Sequence, residues 1–130
     1  MYEHTSHHIR ILVNPQFLEN QSEPDNRKFV WAYTITLENL SDQTVKLLTR
    51  HWVITDGLGR TQEVKGQGVI GEQPTIRPGE SFQYTSGCPL STPSGMMKGS
   101  YGMINAQGQG LDVIIPAFSL DSPYDRHSVN

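Results

Sequence analysis

Apolar and polar residues alternate along much of this chain, and the alternation is clearest in its second quarter. Phe29, Trp31, Tyr33, Ile35 and Leu37 fall on one face of an extended segment, with Thr34, Thr36 and Glu38 on the other. A period of two predicts a half-buried antiparallel strand. Residues 45–55 predict a second long strand that places Leu48, Trp52 and Ile54 on one face. Lys46 and Arg50 share that face and are expected to snorkel or to lie at an edge. Between the two strands, residues 39–43 form a turn cluster. After Ile54, Asp56-Gly57 is expected to supply the positive-φ residue of a tight turn, so that two hairpins follow one another. Further strands are predicted at 9–13, 82–90, 96–104 and 111–120, separated by Pro78-Gly79, by 91–95 and by 105–110.

No stretch offers a ten-residue helical stripe between caps, and the twelve glycines and eight prolines sit mainly where strands would end. Seven or eight short strands at this spacing predict an all-β fold, a two-sheet antiparallel sandwich of immunoglobulin or fibronectin type III kind, with a barrel as the alternative. Trp31, Tyr33, Trp52, Phe82, Tyr84, Tyr101 and Phe118 are the heavy core candidates. One domain over 9–122 accounts for the periodic part. Residues 1–8 and 123–130 are polar and aperiodic and are expected to be flexible tails.

Charge narrows the partners. The chain of 130 residues carries ten Lys or Arg against thirteen Asp or Glu, a net charge of −3, and the two signs interleave. Such a surface gives no field to gather nucleic acid. The one cysteine, Cys88, excludes an internal disulfide, a zinc ribbon and a CxxC redox pair, and fits a reducing, cytoplasmic setting. No apolar run approaches the ~20 residues of a membrane span, so neither membrane insertion nor export by an ordinary signal is expected.

One motif carries chemical interest. Gly66-Gln67-Gly68-Val69-Ile70-Gly71 spells GxGxxG, the form of a dinucleotide fingerprint, in which the glycines close a strand and a helix N-terminus receives the pyrophosphate. Here Glu72, Gln73 and Pro74 follow, so the helix is missing and a negative charge stands where a phosphate would sit. Two readings remain open. The glycines let a long connection cross the end of the sandwich, or the loop amides, with Lys65 and Arg77, hold an anion.

Other constellations are weaker. His4, His7 and His8 cluster near the start, but adjacent strand positions point to opposite faces, so no metal and no cofactor is expected from them. Arg50-His51-Trp52 is a candidate partner surface, a strand exposing His51 beside aromatic surface. No GxSxG is present, and Ser86, Ser94 and Ser100 lack the strand-turn-helix setting of a nucleophile. Cys88, between Gly87 and Pro89 without an adjacent cation, reads as a packing residue.

Trp52, the Asp56-Gly57-Leu58-Gly59 turn, the Gly66 to Gly71 glycines and Tyr84-Thr85-Ser86-Gly87 together resemble the signature of the ApaG family. The likeness extends to Met97-Lys98-Gly99-Ser100-Tyr101 and Ile115-Pro116-Ala117-Phe118. It implies a fibronectin type III-like sandwich that acts as a binding unit in larger proteins. It also implies an association with cobalt resistance and magnesium efflux, and with diadenosine tetraphosphate hydrolysis by gene neighbourhood. Neither association assigns chemistry to a residue.

From these observations the chain is expected to be a non-enzymatic binding module for a protein or peptide, with homodimerisation through an edge strand also open. The alternative is nucleotide or pyrophosphate binding through the Gly66 to Gly71 loop.

Overall fold

A computed structural model describes residues 1–125. It contains nine strands among the described residues: β1 (Tyr2–Ser6), β2 (Ile9–Phe17), β3 (Phe29–Asn39), β4 (Val45–Asp56), β5 (Thr61–Gln67), β6 (Thr75–Ile76), β7 (Ser81–Leu90), β8 (Gly95–Asn105) and β9 (Gly110–Leu120). Every pairing is antiparallel. One sheet has the order β1-β2-β3-β7, the other β5-β4-β8-β9, and β6 lies beside the start of β4. The two-sheet sandwich expected from the alternation is the one observed. No helix is long and apolar enough to cross a membrane among the described residues.

The core follows from period-two burial. Phe29, Trp31, Tyr33, Ile35 and Leu37 of β3 are buried together with Ile9, Ile11 and Val13 of β2. Against them pack Val45, Leu47 and Trp52 of β4, Met97, Tyr101 and Met103 of β8, and Val113, Ile115, Phe118 and Leu120 of β9. Trp52 joins the sheets: its ring meets Tyr33 edge-on at 5.3 Å and Phe118 at 6.0 Å. Of the heavy core candidates, Phe82 alone is only partly buried, packed against Tyr84 at a ring separation of 6.2 Å.

Four expectations are corrected. First, β4 does not keep one phase. Its register with β8 passes from Leu47↔Met103 to Thr49↔Gly102, leaving Leu48 as an extra residue. This bulge reverses the alternation. Val45 and Leu47 face the core before it and Trp52 after it, while Lys46 is exposed on the other face and Leu48 is only half-buried.

Second, residues 39–43 do not close a hairpin but carry the chain from one sheet to the other, since β3 pairs with β2 and β7 and β4 pairs with β5, β6 and β8. The buried side chain of Asn39 holds this crossing. Its Nδ2 donates to the carbonyls of Gln43 (2.8 Å) and Ile76 (2.9 Å), and its Oδ1 accepts from the Ser41 amide (3.0 Å) and hydroxyl (2.6 Å).

Third, the positive φ of the β4–β5 turn belongs to Gly59 (+83°), not Gly57. The Gly59 amide donates to the Asp56 carbonyl and the Asp56 amide to the Arg60 carbonyl. That is a three-residue loop with its left-handed residue last.

Fourth, the N-terminal eight residues are not a frayed tail. Tyr2–Ser6 is a strand paired with β2 from Tyr2↔Val13 to Ser6↔Ile9. It is fastened across to β9, where the Tyr2 ring lies 6.1 Å from Phe118 and the Ser6 hydroxyl accepts the Ile114 amide at 3.0 Å. Two inward-facing side chains suffice to dock so short a strand. At the other end, Tyr124 packs its ring 6.0 Å from both Phe17 and Phe29, and residues 126–130 of the expected C-terminal tail lie outside the described residues.

With β1 bridging to β9, that side of the sandwich is closed. On the opposite side the edge strands β7 and β5 face each other, and the candidate site lies between them.

Candidate functional site

The glycine stretch is built around Arg50. On β4, Arg50 pairs with Gly66 of β5, and a Cβ on residue 66 would come within 2.9 Å of the guanidinium carbon and both its terminal nitrogens. Glycine therefore makes room for the arginine head. Nη1 of Arg50 donates to the carbonyls of Gln67 and Gly68, at 3.0 Å each.

The next two glycines shape the turn. The Gly68 amide donates to the carbonyl of the bulge residue Leu48 at 2.9 Å. At φ +66°, Gly68 also packs so closely on Glu72 that a Cβ would stand 2.2 Å from that carbonyl oxygen. Val69 and Glu72 exchange amide-to-carbonyl bonds of 2.8 and 2.9 Å. Between them Ile70 (φ +45°) and Gly71 (φ +80°) both lie at positive φ, the pattern of a type I′ hairpin turn. Ile70 is a β-branched residue in the left-handed region, a strained conformation, and its side chain is 55% exposed while Val69 beside it is buried.

This geometry accounts for GxGxxG without a ligand. Gly66 lies inside a strand, Gly68 and Gly71 lie in a tight turn, and β6 rather than a helix follows. The amides of Gly68, Val69 and Glu72 are committed within the chain.

Between β4 and β5 on one sheet and β7 on the other runs a cleft of about 440 Å³. Arg50, Trp52 and Ile54 line its β4 side and Tyr84, Ser86 and Cys88 its β7 side, with Ile70 and Gly71 at the Arg50 end. Tyr33 and Met97 complete the floor. Burial pushes the phenols of Tyr33 and Tyr84 above their ordinary value of 10.0, and the Cys88 thiol up to about 11. The hydroxyls of Tyr84 and Tyr101 share a hydrogen bond of 2.5 Å, and burial holds the Tyr101 phenol well above the ordinary range too.

At neutral pH these groups are uncharged, and among the described residues Arg50 is the only charged side chain lining the cleft. Among the described residues it makes no ion pair. The cleft thus offers an aromatic and thiol-lined wall, a few neutral hydroxyls and one fixed cation. Among the described residues no carboxylate lines it, so the arrangement is suited to binding an apolar body with one negative charge.

The residues singled out in the sequence are dispersed by the fold. Arg50, Trp52 and Gly71 come together at the cleft, but Trp52 is a buried wall with 3% exposure rather than an aromatic surface. His51 points the other way, onto the outer face of its sheet, where Lys65 is its cross-strand neighbour. There Nε2 of His51 meets Oε2 of Glu63 at 2.9 Å, and the hydrogen bond to His51 holds the Glu63 carboxyl below its ordinary range. Arg77 follows β6, which pairs with Val45 and Lys46. That is six residues from His51 along β4, or about 20 Å at the usual rise, so Lys65 and Arg77 do not converge on the glycine turn. Tyr33, Ser86, Cys88, Met97 and Ile70 were not legible as cleft residues, because strands from both sheets meet only once the sandwich is stacked.

Comparison with known proteins decides the family. A family model described as the ApaG domain matches residues 19–105. The chain belongs to the ApaG family. It is 57% identical over 130 residues to Protein ApaG of Rhodospirillum centenum, covering 100% of both chains. Protein ApaG of Mesorhizobium japonicum is 54% identical, again over 100% of both chains. Among solved structures, the crystal structure of a Bordetella pertussis protein described as ApaA superposes with a TM-score of 0.87 at 43% identity, covering 90% of this chain and 95% of that one. The ApaG match includes the glycine turn and β4 through β8.

Proposed function

We propose that this ApaG-family chain is a non-catalytic binding module whose partner is a protein segment and whose partner site is the cleft between β5 and β7. One observation carries the reading: Arg50 is partly buried, pinned by the carbonyls of Gln67 and Gly68, and among the described residues it makes no ion pair and shares the cleft with no carboxylate. A partly desolvated cation without a counter-charge costs stability, and a partner anion would offset that cost.

The strained Ile70 at the rim supports the same place, since backbone strain concentrates at functional sites. The protonated Cys88 and phenols support binding over catalysis. A nucleotide at the Gly66 to Gly71 turn is less favoured, because three of the amides that would cradle a phosphate are already donated within the chain.

Under this reading, the association with cobalt resistance and magnesium efflux implied by family resemblance runs through the partner. Among the described residues, no group of three or more His, Cys, Asp or Glu side chains converges as a metal site.

The test is capture from a cell extract with immobilised wild-type chain and with Arg50→Gln and Ile70→Asn variants, each checked for folding. A protein retained by the wild type and lost from Arg50→Gln supports the site. Proteins retained equally by all three would move it elsewhere.

A further inference from the structure

Resting on that reading, we infer that the occupant of the cleft is the C-terminal segment of an extended polypeptide, with its terminal carboxylate on Arg50 and its backbone alongside β7. Four observations lead there.

Charge comes first. Arg50 spends Nη1 on the two carbonyls, and Nε and Nη2 have no partner among the described residues. Those two nitrogens form one edge of the planar fork, the edge that grips a carboxylate with two parallel hydrogen bonds. The two carbonyl contacts hold the fork in place beforehand, which lowers the ordering cost of binding. Among the described residues no acidic side chain lines the cleft to compete.

Shape comes second. The lining runs from Arg50 to Ile54 on β4 and from Tyr84 to Pro89 on β7, a trough of about 13 Å at the usual strand rise. At its Pro89 and Gln62 end it meets a second hollow of about 180 Å³, which also reaches Thr61, Leu90 and Ser91. At the Arg50 end stands the Val69–Glu72 turn. An extended chain running in from the Pro89 end therefore finishes at the guanidinium, where a terminal carboxylate would lie.

The third observation is the edge itself. Among the described residues β7 pairs with β3 only, and β5 with β4 only, so both strands flanking the trough have one side without a described partner. Pro89 lies within the β3–β7 ladder, and proline is accommodated in a sheet where its missing N–H would face away from the neighbour. By the same alternation, the N–H and C=O groups of Gly87 and Thr85 face outward from β3, free to pair with an added strand.

Fourth, the trough wall is apolar beneath this edge. Trp52, Met97 and Cys88 are buried there, and Ile70 adds an exposed aliphatic rim. The last side chain of the bound segment is accordingly apolar.

The experiment uses the full chain and N-acetylated tetrapeptides ending in Leu, Val or Phe. Each is prepared as the free acid and as the C-terminal amide, and titrated by calorimetry and by amide NMR. Hexanoate serves as a small carboxylate control. Free acids are expected to bind and to shift the amides of residues 66–71 and 85–88. Amidation, or Arg50→Gln, is expected to weaken binding about tenfold or more, the size of a lost charge-assisted pair. The acid-to-amide comparison needs no variant, so a folding defect in Arg50→Gln cannot blur it.

Equal affinity of acid and amide would overturn the inference. So would hexanoate binding as tightly as the peptides, which would make the cleft a small-molecule site. Absence of any peptide binding, while the captured partner still depends on Arg50, would overturn the terminal-carboxylate assignment and leave the partner site standing.

Discussion

Gly66 lacks a side chain where Arg50 needs the space: the guanidinium lies 2.9 Å from the position a Cβ on residue 66 would take. The clash involves the far end of a flexible side chain, so relief is cheap. Gly66→Ala is expected to leave stability within about 1 kcal/mol of wild type. It is also expected to unseat the arginine from the Gln67 and Gly68 carbonyls and to reduce partner binding as strongly as Arg50→Gln. Denaturant melts alongside a binding titration check both parts.

Ile70 occupies the first central position of a type I′ turn with Gly71 at the second, and Asn-Gly is the pair that this turn favours. Ile70→Asn is expected to raise unfolding stability by about 1 kcal/mol by releasing strain of a known order. It is expected to weaken partner binding by removing the aliphatic rim. A variant that is both destabilised and fully competent in binding would show that Ile70 is held there by local packing instead.

At the Asn39 crossing, one side chain satisfies two carbonyls and two groups of Ser41. Asn39→Ala leaves the Ile76 carbonyl buried without its donor and is expected to cost about 3 kcal/mol. Urea unfolding followed by tryptophan fluorescence measures it, and partner binding at temperatures where the variant is folded should be unchanged.

Alkaline pH tests the environment of the cleft. Cys88 has an ordinary thiol value of 9.0 that burial raises to about 11, and the phenols of Tyr33, Tyr84 and Tyr101 are raised from 10.0. The folded state therefore holds protons that the unfolded chain has released, so stability falls as pH rises above 9, first through the thiol and then through the phenols. Unfolding free energy should be flat with respect to these groups below pH 8 and decline between pH 9 and 11. Cys88→Ala should remove the earliest part of that decline. Thiol-directed reagents should react with folded Cys88 far more slowly at pH 8 than with a small free thiol.

Local alternation made β3, β7 and β8 readable, because each is buried on one face throughout, whereas β9 changes phase between Ile115 and Phe118, where its register with β8 shifts. β4 misled for a physical reason. The bulge at Leu48 inserts one residue, and a pattern with period two cannot reveal a single insertion when Leu47 and Leu48 are equally apolar. The same bulge shapes the cleft, since the Leu48 carbonyl accepts the Gly68 amide and the Gln73 side chain and so anchors the turn beside Arg50.

The glycines stood out in the sequence, and the missing helix weighed against a dinucleotide role while leaving an anion at the loop as the alternative, but the reason for Gly66 lay in a partner 16 residues away across a strand pair. Docking of Tyr2 onto Phe118 was likewise invisible, because five residues with two inward side chains carry no periodic signal. The site was legible only in part: Arg50 and Trp52 stood out on β4, whereas their neighbours Ser86 and Cys88 arrive from the opposite sheet.

The most direct measurement is amide NMR mapping of the chain with its captured partner bound. Shifts should concentrate on residues 66–71 and 85–88 and should vanish with Arg50→Gln. Shifts confined to the outer sheet face around His51, Lys65 and Ser100, with the cleft unperturbed, would contradict the assignment of the partner to the cleft.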